Sequence, residues 1–358
     1  MGLGAAVLLL TVAAAAGCSG SRTAEHVAAT HPQPPPPAPV SHRKTSARYH
    51  RPPQFVMISF DGSGDAGIWR HWRAVADRTG ARFSFFVSGV YLLDRADAGV
   101  YHPPRHAAGS SDIGFSADAA GVRALVRQID LGYHEGEEIG THYNGHFCEP
   151  YAGNVSTWNE SDWIREIQQF HALLHHAGVD VPDGEVQGGR TPCLEGRLDV
   201  LYRALRRLGM SYDTSRTANP ATWPRRIEGI WSFPLALIKL IGTPWDSLSM
   251  DYNFFVNQSQ AQTVSRTRSR VLAADAYASL MRYFRTNYRG NRAPVDIGNH
   301  FATWNHGAYV DALTRFVETV CRKPEVRCVT YSTLVSWLDA QPPRFLARDR
   351  AGRFRRYG

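Results

Sequence analysis

The chain has 358 residues, 43% of them hydrophobic and 20% charged, with a formal net charge of +8. This is the composition of a globular protein that can bury a sizeable core, not of a disordered chain. Much of the positive excess lies between Arg344 and Arg356 and suits an anionic neighbour, but no zinc-finger spacing or RNA-binding signature accompanies it, so nucleic acid is not an expected partner.

The segment from Ala5 to Gly17 is apolar, too short to span a bilayer comfortably, and ends in small residues before Cys18. It reads as an export signal. The run Ala15 to Cys18, AAGC, resembles a bacterial lipoprotein box, in which the cysteine becomes the lipidated first residue. Residues 1–18 are therefore expected to be a leader that places the protein outside the cytoplasm, with a lipid anchor at Cys18 as its link to the membrane. Residues 19–53 are expected to be an extended spacer, because the proline density from His31 to Pro53 cannot pack a core. One folded domain over 54–342 and a basic tail over 343–358 complete the division.

From Gln54 onward, short apolar runs alternate with longer amphipathic segments. FVMISF and FSFFVSG read as strands by their β-branched and aromatic content, with a helix between them that stops at Gly80. A strand-like EEIG precedes His142. The segment Asp162 to Ala177 places Trp163, Ile164, Ile167, Phe170 and Leu174 on one face of a helix. Strands at GIWSFPL, PVDIGN and RCVTYS alternate with helices at AADAYASLMRYFRTNY, AYVDALTRFVETVC and TLVSWLDA. Strands repeatedly separated by helices predict a parallel α/β sheet or barrel, with reactive residues in the loops after the strand ends.

Setting Cys18 aside leaves four cysteines in a chain bound for an oxidising compartment. Two disulfides are expected: Cys321 with Cys328, which are close in sequence, and therefore Cys148 with Cys193.

Residues suited to hydrolysis stand at successive strand ends. Asp61 closes the first strand, and His142 and His146 stand four residues apart, a spacing that lets two imidazoles share one metal if the turn is helical. Two other pairs share that spacing: His102 with His106, broken by prolines, and His171 with His175, inside an amphipathic helix; both read as ordinary histidines. Arg190 follows two glycines, Asp213 follows a strand, and His300 ends another. A carboxylate, two imidazoles, a guanidinium and a further histidine suit attack by metal-activated water.

The pattern resembles the polysaccharide deacetylases of carbohydrate esterase family four, in a divergent, exported form of actinobacterial type. SFDGS at Ser59 to Ser63 is similar to the family's TFDDG motif, HYNGH to its H[ST]xxH motif, RTPC to its RxPY motif and GNH to its LxH motif. The resemblance implies a distorted (β/α) barrel of about seven parallel strands. It also implies a metal-dependent hydrolase that removes acetyl groups from an N-acetylated cell-wall or envelope glycan; separately, a monomer is expected. Asp61 would be the base, Arg190 its orienting partner, His300 the acid and Asp213 the residue that steadies it; His142 and His146 would bind a divalent metal, zinc first, with cobalt, nickel or manganese as alternatives. The family's second aspartate aligns with Gly62, which cannot ligate. Asp65 is then the first choice as third ligand; alternatively Asp61 itself ligates while an acid such as Asp251 serves as base, or the metal is lost and a glycan-binding protein remains.

Overall fold

The computed structural model describes residues 51–354, so the expected leader, the lipidation site and almost all of the spacer lie outside the described residues, as does the tail beyond Phe354. The chain enters the fold on β1 (Gln54–Gly62) and turns through Ser63 and Gly64 into α1 (Ala66–Thr79). Asp65 caps that helix and Gly80, at φ +69°, ends it. Then come β2 (Ser84–Val87), α2 (Ala119–His134), β3 (Glu138–Thr141) and α3 (Glu160–Ala177). The last starts two residues before the expected Asp162, because Asn159 and Asp162 form a reciprocal capping box.

The middle of the chain is built of short pieces: β4 (Gly188–Gly189), α4 (Leu198–Arg207), β5 (Tyr212–Asp213), β6 (Thr217–Ala218), β7 (Arg225–Ile227), β8 (Ile230–Ser232), β9 (Leu235–Lys239) and β10 (Asp246–Leu248). It closes with α5 (Asp251–Ser259), α6 (Arg266–Arg289), β11 (Val295–His300), α7 (Trp304–Val320), β12 (Val326–Cys328), α8 (Tyr331–Asp339) and α9 (Pro343–Arg350). Among the described residues, no helix is long and apolar enough to cross a membrane.

The main sheet runs β11-β1-β2-β3-β4-β5-β8-β7, with β12 also pairing the start of β1. Every pairing in it is parallel except β7 with β8. The small sheet β10-β9-β6 reaches β11 through Met250, which bridges to Gly298. The result is the expected distorted (β/α) barrel, left open where the parallel order stops.

Strand alternation divides the core into two clusters. Val56, Ile58 and Phe60 of β1 and Phe85 and Val87 of β2 pack outward with the helices, whereas Phe55, Met57, Phe86, Tyr212 and Tyr331 form an inner cluster. Leu346 of α9 joins the inner cluster, so the packed region extends past Pro342 into the segment read as a basic tail.

Candidate active site

The alternation that builds the core also selects the site. Ser59 and Asp61 share the inward phase of Phe55 and Met57, and Asp61 stands in register with His300 at the end of β11. Two parallel neighbours therefore end side by side with a carboxylate and an imidazole on the same face. Thr141 of β3 is in register with Gly189 of β4, so His142 and Arg190 leave the sheet as the next residues of adjacent strands. This pairing is tight: a Cβ on Gly189 would lie 1.9 Å from the Thr141 carbonyl oxygen. The two glycines, Gly188 against Tyr212 and Gly189 against Thr141, let three strands close on one another.

Arg190 is completely buried. Its Nη1 donates to Asp61 Oδ1 at 2.9 Å and to Ser59 Oγ at 2.8 Å, its Nη2 to the Tyr331 hydroxyl at 3.3 Å and its Nε to the Thr214 carbonyl at 3.2 Å. Burial by itself would raise the Asp61 pKa, but Arg190 first, and His142 and His300 after it, hold the carboxyl below its ordinary value. The group is an ionised carboxylate fixed in direction.

His142 and His146 converge without a helix. Tyr143 and His146 both have φ of +60°, and the loop between them brings the two imidazole centroids to 5.1 Å. His142 Nδ1 is 2.8 Å from the Arg190 carbonyl, which fixes the tautomer and leaves Nε2 as a lone-pair donor. Burial is the largest influence on both rings; it pushes His142 down to about 3 and lowers His146, so both imidazoles are neutral. Glu166 of α3 holds the loop: it accepts the Asn144 N–H at 2.9 Å and the Tyr101 hydroxyl at 2.9 Å. The disulfide Cys148–Cys193 ties the same loop to the segment after Arg190, and Cys321–Cys328 closes the second expected pair.

Two expected roles change. Asp213 does not meet His300: it follows inward-facing Tyr212 and so points outward, where it accepts from Ser215 Oγ at 2.6 Å and Tyr202 Oη at 3.1 Å. Asp251, at the start of α5, takes that place, with Oδ1 2.8 Å from His300 Nδ1 and Oδ2 accepting the His300 N–H at 2.9 Å. Burial opposes protonation of His300, but the Asp251 carboxylate outweighs it and raises the imidazole above its ordinary value.

Asp65 lines the same cavity as Asp61, His142, His146 and His300, but its Oδ1 caps α1 through Gly67 N–H at 2.7 Å and Ile68 N–H at 2.8 Å. Among the described residues, only His146, Cys148 and Cys193 bring three His, Cys, Asp or Glu donor atoms within 4.8 Å of one another, and those two sulfurs are bonded together. The two neutral imidazoles, His142 held by the Arg190 carbonyl, fit a divalent ion; a ready carboxylate ligand is what the arrangement lacks, Gly62 having no side chain to offer. Sequence reasoning missed Ser59, Tyr331 and Glu166 as groups that hold the site, and named Asp251 only as an alternative base.

The cavity measures about 750 Å³ and is flanked by Tyr91, Tyr252 and Trp304. The Trp304 and Tyr252 rings stand 5.5 and 6.0 Å from His300. A carboxylate, a protonatable imidazole and two neutral imidazoles around such a space can activate water, protonate a leaving group and hold a Lewis acid.

No model of a protein family matches the chain, and no curated protein matches it. Among solved structures, it is similar to a candidate polysaccharide deacetylase from Mycobacterium smegmatis, with a TM-score of 0.51 at 14% identity over 80% of this chain and 90% of that one. It is also similar to a family-four carbohydrate esterase domain of a multidomain xylanase from the hindgut metagenome of Trinervitermes trinervoides, with a TM-score of 0.44 at 12% identity over 81% and 93% of the chains. A family-four carbohydrate esterase from Streptomyces lividans gives a TM-score of 0.39 at 13% identity over 76% and 91%. At these identities the likeness to the Mycobacterium smegmatis protein identifies the fold.

Proposed function

We propose that the chain is a divergent member of carbohydrate esterase family four that hydrolyses the acetamide of an N-acetylated envelope polysaccharide outside the cytoplasm. The observation that carries this reading is the buried Arg190–Asp61 pair facing His300 across one cavity, with His142 and His146 beside it. Both disulfides favour an oxidising compartment. The leader and the lipid anchor at Cys18 remain part of the proposal, as does a monomeric state.

In this reading Asp61, kept ionised and oriented by Arg190, accepts a proton from the attacking water. The water oxygen adds to the acetyl carbon, and the carbon–nitrogen bond breaks as His300, protonated with the help of Asp251, gives its proton to the leaving amine. Acetate and a free amino sugar result. Tyr252 and Trp304 offer apolar faces to the sugar ring next to the acid. His142 and His146 would hold the divalent ion, zinc first, with Asp65 supplying the carboxylate oxygen its cap leaves unused. When bound, the ion would polarise the acetyl carbonyl and lower the proton affinity of water.

One observation favours a second reading, a glycan-binding relic: Gly62 stands at φ +82° where the family pattern has an acid, and among the described residues the three-donor set at His146 relies on two sulfurs that are bonded to each other. Metal analysis and mass spectrometry of acetylated glycan oligomers incubated with the zinc-loaded protein separate the two. Loss of acetyl groups that disappears in Asp61→Asn supports the hydrolase; bound glycan without product supports the relic.

A further inference from the structure

The His171–His175 pair, read from the sequence as ordinary, acquires a third member in the fold. Both residues lie on α3, one turn apart and on one face. Beyond the helix cap at Gly178, the chain doubles back, anchored by buried Val181 and Val186, and sets Asp183 against them. Asp183 Oδ1 is 3.1 Å from His171 Nδ1 and 3.0 Å from His175 Nε2. His171 Nδ1 is nevertheless buried without a hydrogen-bond partner, so its contact with the carboxylate lacks hydrogen-bond alignment.

We propose that His171, His175 and Asp183 form a surface site for a borderline divalent transition-metal ion such as zinc or nickel, one that clips the loop after α3 to the helix. Such an ion bonds imidazole nitrogen and carboxylate oxygen at about 2.0–2.2 Å, which at a tetrahedral angle sets donors roughly 3.3 Å apart. The two nitrogen-to-oxygen separations already have nearly that value. The two nitrogens are wider apart, since the set is not mutually within 4.8 Å, and closing it requires His175 to rotate. His175 is 61% exposed and Asp183 52%, so the ring has room to turn and an ion and its waters can reach them. The site lies in the last turns of α3, where the helix dipole favours a cation. Imidazole with one carboxylate is a donor set for zinc, nickel or copper, not for calcium or magnesium.

This proposal is independent of catalysis. The test uses the untagged full chain stripped of metal, carrying His142→Ala and His146→Ala to silence the cavity, and titrates it calorimetrically with zinc chloride. One equivalent should bind, and adding His175→Gln should weaken it at least tenfold while the metal-free circular dichroism stays unchanged. Should the cavity variant fail to fold, His175→Gln alone in the parent should remove one zinc equivalent of two, or the sole equivalent if the cavity takes none. Zinc binding that is absent from the cavity variant, or indifferent to His175→Gln in either background, overturns the proposal.

Discussion

Asp251 grips His300 twice, through the imidazole Nδ1 at 2.8 Å and through the backbone N–H at 2.9 Å. The grip fixes the ring and raises its pKa, so the imidazolium persists to higher pH than an unpartnered histidine would allow. Removing the charge with Asp251→Asn should lower turnover by about tenfold or more. It should also move the alkaline limb of the pH–rate profile to lower pH. A profile of unchanged shape would deny His300 the role of acid.

Arg190 and Asp61 form a buried pair, 0% and 2% exposed in their side chains. Truncating Arg190 to Met strands the Asp61 charge in the barrel, and breaking a pair of this kind costs about 3–5 kcal/mol. Urea denaturation of Arg190→Met against the parent measures it. Arg190→Lys keeps the charge but not the fork that reaches Ser59, Asp61 and Tyr331, so turnover should fall even where stability is largely recovered.

Asp65 joins two questions that one substitution separates. Asparagine caps a helix about as well as aspartate, so Asp65→Asn should leave the melting temperature near that of the parent, whereas Asp65→Ala should cost about 1 kcal/mol. If the carboxylate completes the ion's ligands, Asp65→Asn should weaken zinc binding in the cavity at least tenfold. Parent-like zinc affinity would remove Asp65 from the ligand set.

The Cys148–Cys193 bridge spans 45 residues and joins the loop of His146 to the segment that follows Arg190. Paired Cys148→Ser and Cys193→Ser substitutions should cost about 2–4 kcal/mol by releasing that constraint in the unfolded chain. Turnover should fall as well, since both bridged segments carry site residues. Full activity in strong reductant, with the thiols counted as free, would contradict this.

Burial raises the Glu166 pKa from 4.5 to about 7, opposed by its hydrogen bonds from Tyr101 and Asn144. The folded state then holds more protons than the unfolded state between those values. The stability this group contributes is complete below about pH 4.5 and is lost as pH rises through about 7. Glu166→Gln removes that dependence. Its melting temperature should therefore gain on the parent's between pH 5 and pH 8, and parallel curves would show that Glu166 does not titrate in this range.

Much of this protein is legible in its sequence because its determinants are local. Apolar runs and helical periodicity locate the main strands and helices, glycine stops end α1 and α3, and proximity pairs Cys321 with Cys328. Asp61, His142, Arg190 and His300 could be picked out because each lies within one residue of the end of a strand on the inward phase, a property that alternation carries along the chain. Asp213 occupies a similar position one residue out of phase, and a two-residue strand gives the sequence no means to reveal it. The tertiary structure alone decided that Asp251 reaches His300 across 49 residues and that Glu166 braces a loop 22 residues away. Those contacts depend on sheet order and on the bridge from Met250 to Gly298, which are long-range pairings that no local pattern of residues encodes.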